Sequence, residues 1–322
     1  MDEAQKWIRQ LKTKDKDWED YRSSRAFAVD KLGELKEASA VPELIDLIRD
    51  PNTFLGSRVA AALGMIGDER AIPALINALH GKERVVEEAT AALGKFSSKC
   101  VVPALLGAFG YRTELYTETY KVIRIFGFQA VPPLIAGLKN GNRHAPFITS
   151  MLIELLNNFC TVEQVKEFGK ILDKEYENII RSRGSEISSD LRSEFAELRR
   201  RYAIALSKSK DPSAVPLLVE ELANKGKDKH AIVIPLRHVL EDCKSAADIN
   251  GFEDRLRVGM GLVKKRFGKD GMAEVQFIVS QFLCAAAKKK NELASDKGIL
   301  LTDIPKPPKK GGVYRLRKVM VR

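Results

Sequence analysis

The chain has 322 residues, 44% of them hydrophobic and 30% charged, with a formal net charge of +11. Helix formers dominate, Trp is scarce, and no valine-rich alternating series appears, so an all-α protein is expected and a sheet protein is not. No apolar run reaches the ~18 residues of a membrane span, and the first 25 residues are charged, which argues against a secretory signal and for a cytoplasmic protein.

Residues 2–12 read as a first helix, with Asp2 as cap and Ala4, Trp7, Ile8 and Leu11 on one face. Lys12 to Asp20 is polar and leads into Trp18 and Tyr21. This segment, 1–24, is expected to cap the open end of a repeat array, which needs a polar end. The two tryptophans serve that cap better than they would serve a ligand.

From about residue 25 a pattern recurs. Leu32-Gly33, Leu63-Gly64 and Leu93-Gly94 are three copies of one dipeptide, with Ile123-Arg124 as a degenerate fourth. Val41-Pro42, Ile72-Pro73, Val102-Pro103 and Val131-Pro132 alternate with them, with proline steps of 31, 30 and 29 residues. Such a period means stacked two-helix units rather than one globular core. In the second unit the first helix is expected over Ser57–Ile66, with Val59, Ala62, Leu63 and Ile66 on one face. Gly67 suits a left-handed stop, Asp68 a turn and cap, and Pro73 the start of the second helix, whose face is Leu75, Ile76 and Leu79. Alanines 60, 61, 62, 89, 91 and 92 suit close helix approach.

The residues Ala60-Ala61-Ala62-Leu63-Gly64 and Gly67-Asp68-Glu69-Arg70-Ala71-Ile72-Pro73-Ala74-Leu75 resemble HEAT repeats of the short type found in phycobilisome-lyase-like proteins. The resemblance covers residues 25–160 well and the rest loosely. It implies a right-handed α–α superhelix of the HEAT/armadillo kind, used mostly to hold other proteins.

A fifth unit pairs a helix bearing Phe147, Met151, Leu152 and Leu155 with one opened by the capping box Thr161-Val162-Glu163-Gln164, so that repeats one to five span 25–174. Tyr176 to Ser185 is expected to connect onward to a helix over Ser189–Ser207 with Leu191, Phe195, Leu198, Tyr202 and Leu206 on one face. A sixth unit closes at Asp211–Leu218. Helices near 229–243, 246–267 and 271–295 then complete a degenerate helical region, 175–298, with Pro235 kinking or starting the first and Gly298 stopping the last. The final stretch, 299–322, carries net charge +6 and opens with Pro305 to Gly312, so an extended basic tail is expected.

Chemistry is thin. Cys100, Cys160, Cys243 and Cys284 lie far apart with no CxxC and are expected as buried free thiols in a reducing compartment. His80, His144, His230 and His238 show no ligand spacing, none precedes Glu as in HEAT-repeat iron hydroxylases, and no phosphate-loop or nucleophile-elbow motif occurs. No catalytic residue, metal or cofactor is expected.

Two surfaces remain. In HEAT-type arrays the second helices line the concave side. The first and fourth residues after each repeat proline are then the exposed ones: Glu43 and Asp46, Ala74 and Asn77, Ala104 and Gly107, Pro133 and Ala136. They outline a shallow trough for a partner helix or extended peptide, although small residues also simply permit curvature. In the tail, Lys309, Lys310, Tyr314, Arg315, Arg317, Lys318 and Arg322 could dock on a protein partner, bind a polyanion or fold back on the body. The leading expectation is a non-enzymatic scaffold for a protein partner. Nucleic-acid binding through the tail and the clusters at 199–201 and 264–266 is the alternative, and lyase-like assistance to a chromophore protein a third that rests on resemblance alone. No membrane partner is expected.

Overall fold

The computed structural model describes residues 3–13, 24–109, 116–138, 144–158, 161–183, 187–209, 211–223, 230–267 and 272–295. Asp2, Trp18, Tyr21, Cys160, Gly298 and the whole basic tail lie outside them. Within them every regular element is helical, as expected of an all-α protein. Packing divides the chain into two compact units. One comprises Met1–Leu155 with Glu177–Leu191, the other Leu156–Tyr176 with Arg192–Arg322.

In the first unit α1 (Glu3–Leu11) packs on α2 (Ser24–Glu34). Ala4 and Leu11 are buried, and the Trp7 ring meets Phe27 edge-on at 5.4 Å. Trp7, half-buried, thus packs α1 onto the first helix of the first repeat. The repeats come as helix pairs: α2 with α3 (Val41–Leu47), α4 (Thr53–Ile66) with α5 (Ile72–Ala78), α6 (Glu83–Leu93) with α7 (Ser98–Phe109), and α8 (Tyr116–Phe126) with α9 (Val131–Leu138). First helices stack α2 on α4 on α6 on α8, and second helices α5 on α7 on α9. α10 (Ala145–Asn158) is next in the chain.

The Leu-Gly dipeptides mark where consecutive first helices touch. A Cβ on Gly33 would stand 3.1 Å from the Cα of Ala62, one on Gly64 2.7 Å from the Cα of Ala92, and one on Gly94 2.7 Å from Ile125 Cγ2. Each glycine admits the next helix, while the leucine before it, at 0% exposure, fills the core. At the degenerate fourth copy Arg124 is exposed. Of the six alanines, 60, 62, 89 and 92 are buried; Ala61 is half-buried and Ala91 exposed, so those two do not serve close packing.

Turns are stitched at the repeat period. Gly67 ends α4 at φ 74°, the left-handed conformation that glycine adopts without a Cβ clash. The Asp68 carboxylate accepts from the Arg70 backbone N–H at 2.9 Å. The Arg70 guanidinium donates back one repeat to the Ala38 carbonyl at 3.0 Å. Cys100 Sγ donates back one repeat to Glu69 Oε1 at 3.1 Å, and the Ser98 hydroxyl forward to the Gln129 carbonyl at 2.9 Å. Arg25 of α2 pairs with Asp50 in the turn before α4 at 3.3 Å, and Arg58 of α4 pairs with Asp30 of α2.

Four local expectations are corrected. α4 begins at Thr53, not Ser57, because Asn52 Oδ1 accepts from the N–H groups of Phe54 and Leu55 and caps it there. Pro103 lies inside α7 rather than at its start, because the preceding turn winds directly into the helix from Ser98. The stretch from Tyr176 is no connector: α11 runs unbroken over Val162–Arg183, since Leu172, Tyr176 and Ile179 continue one buried or half-buried face. Cys100, Cys243 and Cys284 are free thiols but half-buried.

By length and mean hydropathy (1.3) Thr117–Leu138 could span a membrane, an exception to the expectation of no span. It is not one rod. It is α8 and α9 with a 3₁₀ turn and Gly127 at φ 52° between them, and Val122, Ile123, Val131, Leu134, Ile135 and Leu138 are fully buried in the repeat.

The second unit holds most of α11 and of α12 (Ser189–Lys208), then α13 (Ala214–Glu221), α14 (His230–Glu241), α15 (Ala246–Phe267) and α16 (Met272–Ser295). Thr161 Oγ1 accepts from the Gln164 N–H, the expected cap of α11. Phe168, Phe195 and Phe252 are fully buried. The Tyr202 ring lies against Gly169, where a Cβ would come within 2.1 Å of it. α13 crosses α15 where Gly259 meets Val219 and Pro216. Pro235 sits inside α14 as expected.

Candidate protein-docking face

The second helices α3, α5, α7 and α9 are built alike around their prolines. The residue before each proline (Val41, Ile72, Val102, Val131) is buried, and so is the second after it (Leu44, Leu75, Leu105, Leu134), the latter at 0% exposure. The helical period then turns the first and fourth residues after the proline outward. Glu43, Ala74, Ala104 and Pro133 are half-buried; Asp46, Asn77, Gly107 and Ala136 are exposed. The four prolines are exposed beside them. One row of positions is thus left uncovered on four successive helices. Around Gly107 there is open space where a side chain would stand.

The row changes in charge along its length. Its acidic start is partly answered by Lys12 of the cap, 3.6 Å from Glu43. From Ala74 to Ala136 it bears no formal charge and no nucleophile, acid or base. The tail residues Lys309, Lys310, Tyr314, Arg315, Arg317, Lys318 and Arg322 lie outside the described residues.

The cluster at 199–201 and two lysines of α16 are internally engaged. Arg199 pairs with Asp173 at 3.3 Å and Glu220 at 3.8 Å, and Arg200 and Arg201 both pair with Glu197. Lys289 Nζ donates to the Leu240 and Glu241 carbonyls at the C-terminus of α14, at 2.9 and 2.5 Å, and Lys290 pairs with Glu253 at 2.9 Å. The 199–201 cluster is therefore not the free cationic patch that nucleic-acid binding would draw on.

One depression has no signature in the sequence. Leu79, His80, Gly81, Glu83, Glu87, Glu118 and Lys121 line an open hollow of about 440 Å³ beside α5, α6 and α8. It lies partly on first helices, whereas the repeat prolines point to the second. Lys121 already donates to Glu118 at 2.9 Å. Among the described residues no three His, Cys, Asp or Glu side chains are grouped to hold a metal ion.

Titration tracks the turns. The Glu69 hydrogen bond, then burial, raises the Cys100 thiol, so it stays protonated. The bonds from Arg70 hold Asp68 below the usual carboxylate range. Burial, with Asp173 and Asp211 nearby, pushes the Tyr202 phenol up to about 12.

The family profile for HEAT repeats matches residues 4–94. No curated protein sequence matches the chain. Among solved structures, the complex of CpcE and CpcF of phycocyanin lyase from Nostoc sp. PCC7120 aligns at 19% identity over 82% of this chain and 95% of that one, with a TM-score of 0.31. Human deoxyhypusine hydroxylase aligns at 18% identity over 82% and 96%, with a TM-score of 0.31. An engineered protein aligns at 18% identity over 92% of each, with a TM-score of 0.33. The stretch that the HEAT-repeat profile matches contains Gly33, Gly64 and Gly94, at which consecutive first helices touch.

Proposed function

We propose that this protein is a non-enzymatic scaffold that seats a helix or extended peptide of another protein along the uncovered row of its second helices. The observation that supports it is the repetition of one register, exposed or half-buried, on α3, α5, α7 and α9, acidic at Glu43 and Asp46 and uncharged from Ala74 to Ala136. Small exposed residues let a partner backbone approach closely, and the exposed prolines add apolar contact without donors to satisfy. The basic tail supplies a second contact in this reading.

Affinity capture from the native host tests it, with and without nuclease. Three baits are compared: the full chain, a chain ending at Thr302, and a full chain carrying Asn77→Arg and Gly107→Arg. A stoichiometric protein retained by the first and lost by the third is expected, with weaker retention by the second. Recovery of nucleic acid alone, lost on truncation, would overturn the reading.

A further inference from the structure

α15 has two seams. Ile249, Phe252, Leu256 and Val263 are fully buried, with Gly259 beside them, and form the inner one. On the other side Val258 is 56% exposed and Leu262 37% exposed. Gly261 lies between them, with open space where a Cβ would stand. Lys265 completes the spacing i, i+3, i+4, i+7, one continuous helical stripe. A buried seam alone accounts for α15 in the fold. It does not account for Val258 and Leu262, whose apolar side chains face solvent on this stripe.

Charge along this stripe is graded. At its N-terminal half Arg257 is neutralised by Asp254 at 2.6 Å and by Glu253. At its C-terminal half Lys264 and Lys265 are exposed and have no carboxylate partner among the described residues. An apolar strip, a gap at its centre and two unpaired cations at one end are the components of a helix-in-groove contact. We infer that the Val258–Gly261–Leu262 face of α15 docks an amphipathic helix of another protein, with apolar residues at the same helical spacing and acidic residues flanking them at the Lys264–Lys265 end. The gap at Gly261 receives a partner side chain, and the lysines select acidic over basic flanks. This surface belongs to the second unit and is separate from the row on α3 to α9.

The test titrates the full chain, by fluorescence anisotropy, against two stapled helical peptides. Both carry Leu at i, i+3, i+4 and i+7, and they differ only in Glu or Lys flanks. The Glu-flanked peptide is expected to bind at least tenfold more tightly than the Lys-flanked one. Val258→Asp with Leu262→Asp should abolish binding, and Lys264→Glu with Lys265→Glu, which leaves the apolar stripe intact, should reverse the preference. Equal binding of both peptides, no binding, or binding unmoved by the Val258 and Leu262 changes would overturn the inference. So would a concentration-dependent dimer in sedimentation that Val258→Asp dissolves, since a second copy would then be the occupant.

Discussion

Single glycines in this chain do opposite work according to what stands beside them. Gly64 lies on α4 with its missing Cβ aimed at the Ala92 backbone on α6, 2.7 Å away. Gly107 lies on α7 with nothing within 4 Å of that position. Gly64→Ala must therefore push two stacked helices apart, an overpacking that costs about 1–3 kcal/mol. Gly107→Ala meets no neighbour and removes backbone freedom from the unfolded chain, so it should stabilise by about 0.5–1 kcal/mol. Urea unfolding of the two variants checks both signs, and equal effects would contradict the packing argument. A third residue carries its own test. Thr119 is fully buried and its hydroxyl has no partner among the described residues, so Thr119→Val, which keeps the shape and removes the orphan group, should be neutral or stabilising in the same assay.

At the scale of elements, the second unit depends on charge placed at helix ends. The Lys289 ammonium on α16 reaches the last carbonyls of α14, groups without intrahelical partners. Lys289→Met keeps the aliphatic stem and removes the charged bonds, leaving the Leu240 carbonyl its bond from the Cys243 N–H and the Glu241 carbonyl without the ammonium, a loss of about 1–3 kcal/mol. Faster amide exchange at the end of α14 would register it. Asp211 adds a pH dependence. Burial raises its carboxyl, but the bonds from Lys166 and Ser213 outweigh that and hold it below its ordinary value. A carboxyl depressed in the folded state contributes stability above its unfolded pKa and loses it as pH falls through the folded one. Stability should therefore fall on acidification below about pH 4, and Asp211→Asn should flatten that fall. What the sequence disclosed of these elements depends on reach. Helix pairs were legible because glycine, proline and apolar spacing recur every 29 to 31 residues. The start of α4 was not, because its cap, Asn52, stands a turn ahead of the recurring motif. The bonds of Lys289 and Arg199 join residues that no short-range pattern links. The partly uncovered row on the second helices was readable from proline spacing, whereas the hollow beside Glu87 and Glu118 arises only when α6 meets α8.

For the whole molecule, the consequence of a repeat array is that damage stays local. In the first unit each first helix touches the first helices before and after it: α4 meets α2 and α6, and α6 meets α8. Stability in such a chain is a sum of repeat terms and nearest-neighbour terms rather than the property of one core. The Gly64→Ala change loosens one such neighbour contact, between α4 and α6. Hydrogen exchange under native conditions should then quicken in α2 to α7, through sub-global opening of that stretch. Amides of α13, α15 and α16, whose contacts run through Gly259 and the Lys290–Glu253 pair, should keep their protection. A uniform rise across all helices would mean that the chain unfolds as one cooperative body. The nearest-neighbour account would then fail, and with it the expectation that changes in the docking row of the first unit leave the α15 surface intact.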